Sequence, residues 1–382
     1  MSEIIRIGID TSKSVFVLHG VDGTEKPALR KKLRRRDLVG FLAKLKPTRI
    51  GIEACGAAHH WGRTFQALGH EAVLLPTQLV KPYIASNKND SADAEGICEA
   101  MSRPRMRFVP IKTAEQQAAQ MLIGLRDRLV RQRTQVSNAI RGYAAEFGLV
   151  AAKGLDKIEP LLARIADAPD LPDLAKELFA LHSQEYVQLK VRLRQIEAKL
   201  MAWHRHNELS RRLAEIPAIG PIGACALAIK VTDPGAFRCG RDFAAWLGLT
   251  PKDHSTAGKQ RLGAITRAGD EMLRSVLVVG ATAVIQQARR GRGKATPWLI
   301  DLIKRKPPKL AAVALANKTA RIAWKLMVSG ERYDPHHQGR GRSNPPSPPA
   351  VSVAPGSHRQ GRCAPPTGGG LRPASTALAR GA

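Results

Sequence analysis

Four acidic side chains in the first hundred residues have types and spacing that could do chemistry. Asp10 closes the apolar run IIRIGID, residues 4–10, and Glu53 closes a second such run, RIGIE, residues 49–53. Asp90 and Asp93 open the segment DSADAEGICEAM, residues 90–101, and at this spacing they share one face of a helix. Carboxylates at two strand ends and on one helical turn can meet at a point. Hard oxygen ligands gathered in this way suit Mg2+, and metal-assisted phosphoryl chemistry needs several of them around cations ~3.5–4 Å apart. Plainer readings stand beside this one. Asp10 can be a turn residue before Thr11, and Asp90 can be a helix cap, a position where Asp is favoured. Glu53 is harder to dismiss, because a buried strand seldom ends in an unpaired carboxylate. Lys88, just before Asp90, is either a phosphate contact or a solvated cation.

Two further segments carry candidate chemistry. In the polar loop His254-Ser255-Thr256-Ala257-Gly258-Lys259, a hydroxyl stands among small residues with Lys252, Lys259 and Arg261 close in sequence. Such a hydroxyl becomes a nucleophile when a base or metal activates it and positive charge favours the alkoxide, and His254 is a candidate base. On composition alone the loop reads as a polar turn that binds phosphate. The segment IPAIGPIGA, residues 216–224, has a helix–hairpin–helix-like form in which the Gly220 and Gly223 amides and a helix N-terminus approach a nucleic-acid backbone. A tight turn between packed helices is the alternative.

The elements that must position these residues follow from hydrophobic period and turn signals. Residues 4–21 predict a β-hairpin, IIRIGID and SVFVLHGV, joined by Thr11-Ser12-Lys13. A helix over 37–45, a strand over 49–56, a helix over 59–69 and a strand over 71–76 follow. Strands alternating with helices after a hairpin indicate an α/β layer of ribonuclease-H-like type, with a plain doubly wound sheet as the alternative. From residue 113 the pattern is helical. Leu122, Leu125, Leu129, Gln132 and Val136 form one heptad seam, and Leu189, Leu193, Ile196, Leu200 and Trp203 form another. The two seams fold back on each other or pair between subunits, and pairing between subunits is the favoured reading. Further helices are predicted at 155–167, around 213–231, at 271–290 and at 310–327.

Charge narrows the partner. Sixty-one Lys and Arg against 32 Asp and Glu give a net charge of +29, which fits a nucleic acid, since phosphate neutralisation gives affinity without sequence readout. Only 4% of residues are aromatic, so phosphate and shape contacts are expected over base stacking. The five cysteines contain no C-x-x-C pair, which points away from a zinc site or a disulfide framework and fits a reducing compartment. An N-terminus running straight into a strand, and no apolar run of ~18 residues, predict a cytoplasmic chain with no membrane span. Residues 336–382 lack Asp, Glu and Lys and are rich in Pro, Gly, Ser and Arg. They read as a disordered extension or, less favoured, a nonspecific arginine arm.

Taken in order, IGIDTSK, GIEACG, KNDSADAEGI, IPAIGPIGA, LGLTPKDHSTAGKQRLGAITRAGDEMLR and LVVGATA resemble the bacterial insertion-sequence transposases that join a RuvC-like DEDD domain to a C-terminal serine transposase domain, the bridge-RNA-guided recombinases. The resemblance covers about residues 4–335. It implies a RuvC-like domain over 1–112, a helical coiled-coil region over 113–206 and a serine transposase domain over 207–335, with the tail, 336–382, outside it. Asp10, Glu53, Asp90 and Asp93 match the DEDD positions and would bind Mg2+. Ser255 matches the serine of the family's loop and would attack DNA, with Thr256 a competing hydroxyl and Ala257 standing where the family usually has Gly. Arg261, Arg267 and Arg274 lie in the region that would hold the scissile phosphate, and Lys259 would bind DNA beside them. The resemblance further implies donor and target DNA, a guide RNA, a homodimer or homotetramer with composite centres between subunits, and a nucleoid-associated bacterial location. The competing functions are a metal-dependent Holliday-junction-like nuclease, in which water is the nucleophile, and a non-catalytic DNA-binding remnant.

Overall fold

The computed structural model describes residues 3–84, 89–256, 258–293 and 295–335. The N-terminal part is built from strands β1 (Ile4–Thr11), β2 (Val15–Asp22) and β3 (Pro27–Arg34), helix α1 (Arg35–Leu42), strand β4 (Arg49–Glu53), helix α2 (Ala58–Ala67), strand β5 (Glu71–Leu75), the short helix α3 (Thr77–Val80) and helix α4 (Asp90–Met101). One sheet results, of order β3-β2-β1-β4-β5. β1, β2 and β3 pair antiparallel, whereas β4 runs parallel to β1 and β5 parallel to β4. The expected hairpin, strands and helices of this region are therefore present. This mixed sheet, with its opening hairpin, is consistent with a RuvC-like DEDD domain.

The repeated phrase Ile-Gly-Ile-acid in β1 and β4 explains how the sheet is covered. Side chains alternate across a strand, so Ile7, Ile9, Ile50 and Ile52 face one way and are fully buried with Leu38 and Leu42 of α1 and Trp61 and Phe65 of α2. Each such side chain taken from water contributes about 1.5–3 kcal/mol. Gly8 and Gly51 face the opposite way, toward α4. A Cβ on Gly8 would stand 2.2 Å from the Ala94 carbonyl oxygen and 2.5 Å from the Cys98 nitrogen, so only glycine admits the α4 backbone this close. Asp10 and Glu53, two residues beyond their glycines, lie on that same face.

The remaining helices form two further cores. α5 (Ala114–Glu146), α6 (Ile158–Ala166) and α7 (Asp173–His206) enclose Leu129, Val136, Ile140, Leu161, Phe179, Leu189 and Leu193. Thr113 and Gln116 form a reciprocal capping box at the start of α5. The heptad seams predicted from sequence meet each other within one chain: α5 packs along α7, and Arg126 pairs with Glu197 at 2.7 Å. This corrects the expectation of seams that pair between subunits. Two adjacent helices in one chain bury the same faces at no association cost. Gln132, assigned to the first seam, is exposed.

The C-terminal core is built by α8 (Glu208–Leu213), α9 (Pro221–Lys230), α10 (Gly240–Trp246), strands β6 (Pro251–Asp253) and β7 (Leu262–Ile265), α11 (Glu271–Arg289), α12 (Pro297–Arg305) and α13 (Pro308–Ser329). Ala311, Ala312, Ala316, Ala320 and Ala323 are buried along α13 and let α11 and α10 lie close to it. Gly280 of α11 plays the same part against the turn after α8, where a Cβ would stand 1.8 Å from the Ala218 carbonyl oxygen. The tail, 336–382, lies outside the described residues, as do Lys88 and Ala257.

Candidate active site

Asp10 leaves the end of β1 half-buried, and α4 begins at Asp90. The helix cap is Asn89, whose side-chain oxygen accepts the Ala92 N–H at 2.8 Å. Asp90 is therefore released from the capping role that its type alone would suit. One ligand oxygen each from Asp10, Asp90 and Asp93 lies within 4.8 Å of the others. Glu53 stands beside them on the adjoining strand end. Burial pushes its carboxyl above the ordinary value, and the negative charges of Asp10 and Asp93 push the same way. The Thr77 hydroxyl donates to Glu53 Oε2 at 3.5 Å and, with Lys81, draws it back down. The structure thus brings together all four acids read from the sequence, three in one tight group and the fourth in electrostatic contact.

The donor set fits a divalent cation. It consists of hard carboxylate oxygens at a spacing that one or two ions would satisfy, and the Glu53 carboxyl is raised first by burial and then by the charges of Asp10 and Asp93. A cation would offset the negative charge that these carboxylates share. Asp10, Asp90 and Asp93 could ligate it directly, with Glu53 alongside.

The serine loop is a small hairpin, a form that its polar composition did not announce. β6 and β7 pair antiparallel, and an isolated bridge joins Thr256 to Lys259 nearer the tip. Gly258 adopts φ +78°, the left-handed conformation that favours glycine. The Ser255 Oγ accepts the Arg261 backbone N–H at 3.0 Å, and the Ser255 N–H donates to Asp253 Oδ1 at 2.9 Å. The Ser255 hydroxyl, with this N–H, holds the Asp253 carboxyl below its usual range. Asp253 is the residue that sequence reasoning missed. Its signal is an acid two positions before a serine, the spacing of an Asx turn. Ser255, Thr256, Lys259, Arg261 and Arg267 are all exposed.

The other expected contact residues divide. Arg274 is committed to the fold: its Nη1 donates to the carbonyls of Leu247 at 3.1 Å and Ala268 at 2.8 Å, tying α11 to the loop that returns from the hairpin. Gly220 is exposed before α9. Gly223 lies buried inside α9, where a Cβ would stand 2.7 Å from Val276 Cγ1. Both glycines belong to the N-terminal end of α9, and Gly223 is in addition a position of close helix packing. Neither β6 nor β7 packs extensively on β1, β4 or α4 among the described residues, so the hydroxyl and the carboxylates rest on different cores.

Residues 7–147 match a family model for DEDD transposases of the IS110 type, and residues 210–296 match the model described as the transposase IS116/IS110/IS902 family. Over 334 residues the chain is 64% identical to a putative transposase, y4pF/y4sB, of Sinorhizobium fredii, covering 87% of this chain and 86% of that one. The chain belongs to the IS110/IS116 transposase family. The transposase is also 43% identical to a probable family 20 transposase of Pseudomonas aeruginosa, over 86% of this chain and 98% of that one. A transposase for insertion sequence element IS1111A of Coxiella burnetii is 38% identical over 87% of this chain and 92% of its own. The first model spans all four acids and the second spans Ser255 and its hairpin. Among the described residues of the transposase, no helix is long and apolar enough to cross a membrane.

Proposed function

We propose that this transposase moves an insertion sequence by cleaving and rejoining DNA strands, with its carboxylate cluster holding Mg2+ and Ser255 acting as nucleophile. The observation that carries the reading is the group of Asp10, Asp90 and Asp93 oxygens within 4.8 Å of one another, in a chain of net charge +29. Three adjacent carboxylates repel a polyanion, and a site for one makes sense only with a counter-ion between them. A divalent cation bound there supplies Lewis-acid polarisation of a phosphoryl oxygen and neutralises charge in the transition state.

The chain's own residues supply the rest. Asp253 accepts the Ser255 hydroxyl and fixes its direction, while the Arg261 amide donates to the same oxygen. As the Ser255 Oγ–phosphorus bond forms, one phosphorus–oxygen bond of the DNA strand breaks. The serine proton passes to Asp253, and the departing DNA oxygen takes a proton from water. The phosphoserine ester keeps the energy of the broken bond, so attack on it by another strand end rejoins DNA without an external source. Lys259 and Arg261 are exposed close to the hydroxyl along the hairpin, Arg267 is exposed at its base, and all three suit contacts to phosphate, with Arg able to form a paired bond.

The same reading sets a RuvC-like unit over 1–112, the paired helices over 113–206 and a serine transposase unit over 207–335. It includes a guide RNA whose base pairing selects donor and target DNA, which suits a basic chain that is poor in aromatic residues. It also includes a homodimer or homotetramer in which the hydroxyl of one subunit meets the carboxylates of another. Two features support that assembly: the two groups rest on different cores, and α7 exposes Leu174, Leu178 and Leu181 at helical spacing.

The test is a covalent adduct. With Mg2+ and donor DNA, the wild type should form a protein–DNA link that resists denaturant. Ser255→Ala should lose both the link and strand exchange, and Thr256→Ala should keep them. A metal-dependent nuclease is the second reading, because Ser255 is already held as a phosphate-binding turn would hold it. Normal cleavage by Ser255→Ala, with no adduct in the wild type, would decide for the nuclease. Sequencing RNA that copurifies with the protein tests the guide: a discrete structured RNA from the element's flank supports it, and random fragments reject it.

A further inference from the structure

Edge strand β3 carries a dense basic run, Arg30-Lys31-Lys32 followed by Arg34-Arg35-Arg36. Strand alternation sorts these cations by face. Leu29 and Leu33 pack into the core beneath α1 and α2, and Lys31, between them, places its ammonium 4.5 Å from the Phe41 ring centroid. Arg30 and Lys32 therefore lie on the opposite face, the one that α4 covers. The register aligns them with the carboxylates. Val17 of β2 pairs with Asp10 on one side and with Lys32 on the other, and His19 pairs with Gly8 and with Arg30. With neighbouring strands about 4.8 Å apart, the Lys32 backbone stands roughly 10 Å from that of Asp10 on the same face. A cleft of about 670 Å³ lies there, lined by Arg30, Lys31 and Lys32 from β3, His19 from β2, and Asp90 and Glu95 of α4; of the three cations, Lys31 has its ammonium turned to the Phe41 ring on the other face. Arg30 and Lys32 are exposed and form no ion pair among the described residues.

We propose that Arg30 and Lys32 hold the backbone of the DNA strand whose phosphodiester lies at the carboxylate centre. They are positioning residues, and the proposal rests on the reading of that centre given above. A strand entering the centre meets several negative charges, and cations two strands away offset the repulsion at a neighbouring phosphate. Charge on an edge strand also discourages pairing with another chain, but that role does not distinguish one face of the strand from the other. The proposal does distinguish them.

The test uses the full chain and a labelled single-stranded DNA 20-mer, with binding followed by fluorescence anisotropy across a salt series. A cation that neutralises one phosphate of a single strand contributes about 0.7 to the slope of log K against log salt. The doubly substituted Arg30→Gln/Lys32→Gln chain should show a slope shallower by about 1.4, an unchanged thermal midpoint, and a rise in KM for DNA cleavage larger than the fall in kcat. Lys31→Gln should match the wild type in all three. A wild-type slope in the double variant overturns the proposal. So does an equal effect from Lys31→Gln, or aggregation as the only change. Asp10→Ala separates the two levels: it should abolish cleavage and leave the slope as it was. Cleavage that survives Asp10→Ala removes the metal reading, while the slope still decides whether DNA lies along β3.

Discussion

Replacing Gly8 by Ala should disable the carboxylate cluster from beneath, without touching any acid. The new Cβ would stand 2.2 Å from the Ala94 carbonyl oxygen, where ordinary contact begins near 3.4 Å, and 2.5 Å from the Cys98 nitrogen. Both neighbours are backbone atoms of α4, so no side-chain rotation relieves the clash. The helix must retreat by about 1.2 Å, and Asp93, adjacent to Ala94, moves with it. Overpacking of this kind costs about 1–3 kcal/mol. A shift of about 1 Å in a reacting group costs on the order of 100-fold in rate. The assay is Mg2+-dependent DNA cleavage by purified Gly8→Ala, read below its unfolding midpoint, together with a thermal melt. Gly51→Ala is the control. Its Cβ would meet mainly the flexible end of Met101, at 2.3 Å from Sδ, so stability should fall while most of the activity remains. Wild-type cleavage and melting in Gly8→Ala would refute the claim that α4 is seated on that glycine.

Other outcomes follow from the same contacts. Gly280→Ala brings a Cβ to 1.8 Å from the Ala218 carbonyl oxygen, and should cost about 3 kcal/mol in chemical unfolding and lower the yield of folded protein. Burial, with the charges of Lys112 and Arg63, holds the His59 imidazole below 6.5. The unfolded chain therefore takes up a proton that the folded chain refuses, so the stability His59 contributes is present above pH 6.5 and is lost as pH falls below it. His59→Gln, which can still accept the Lys112 N–H, should flatten the decline between urea melts at pH 7.5 and 5.5. It should not abolish the decline, since His19 and His204 are depressed as well. Mg2+ at about a hundred times its Kd should stabilise the wild type by about 2.7 kcal/mol and leave Asp10→Asn much less changed; equal shifts in a melting assay would remove the cluster as the binding site.

The parts of this molecule that were legible in sequence are those where pattern and packing say the same thing. Ile-Gly-Ile-Asp and Ile-Gly-Ile-Glu show strand alternation, and the acids fall on the glycine face. α4 begins and ends where its residues indicate, at Asp90 and Met101. β3 was not legible because Leu29 and Leu33, four apart, satisfy a helical period as well as a strand period, and the residues between and after them are cations. The β6–β7 hairpin was missed because its strands are exposed on nearly every residue, so no apolar alternation marks them. α12 was hidden between two basic, Gly- and Pro-containing stretches. The seams of α5 and α7 were visible as seams, but a heptad does not say whether its partner lies in the same chain.

Every acid of the cluster is encoded before residue 94, whereas the serine hairpin begins only at Pro251. Chains fold as they are made, with N-terminal units first. A growing polypeptide therefore assembles the acidic face of β1, β4 and α4 long before Ser255 and its hairpin exist on the same molecule, so the two halves of any centre that uses both must be brought together late.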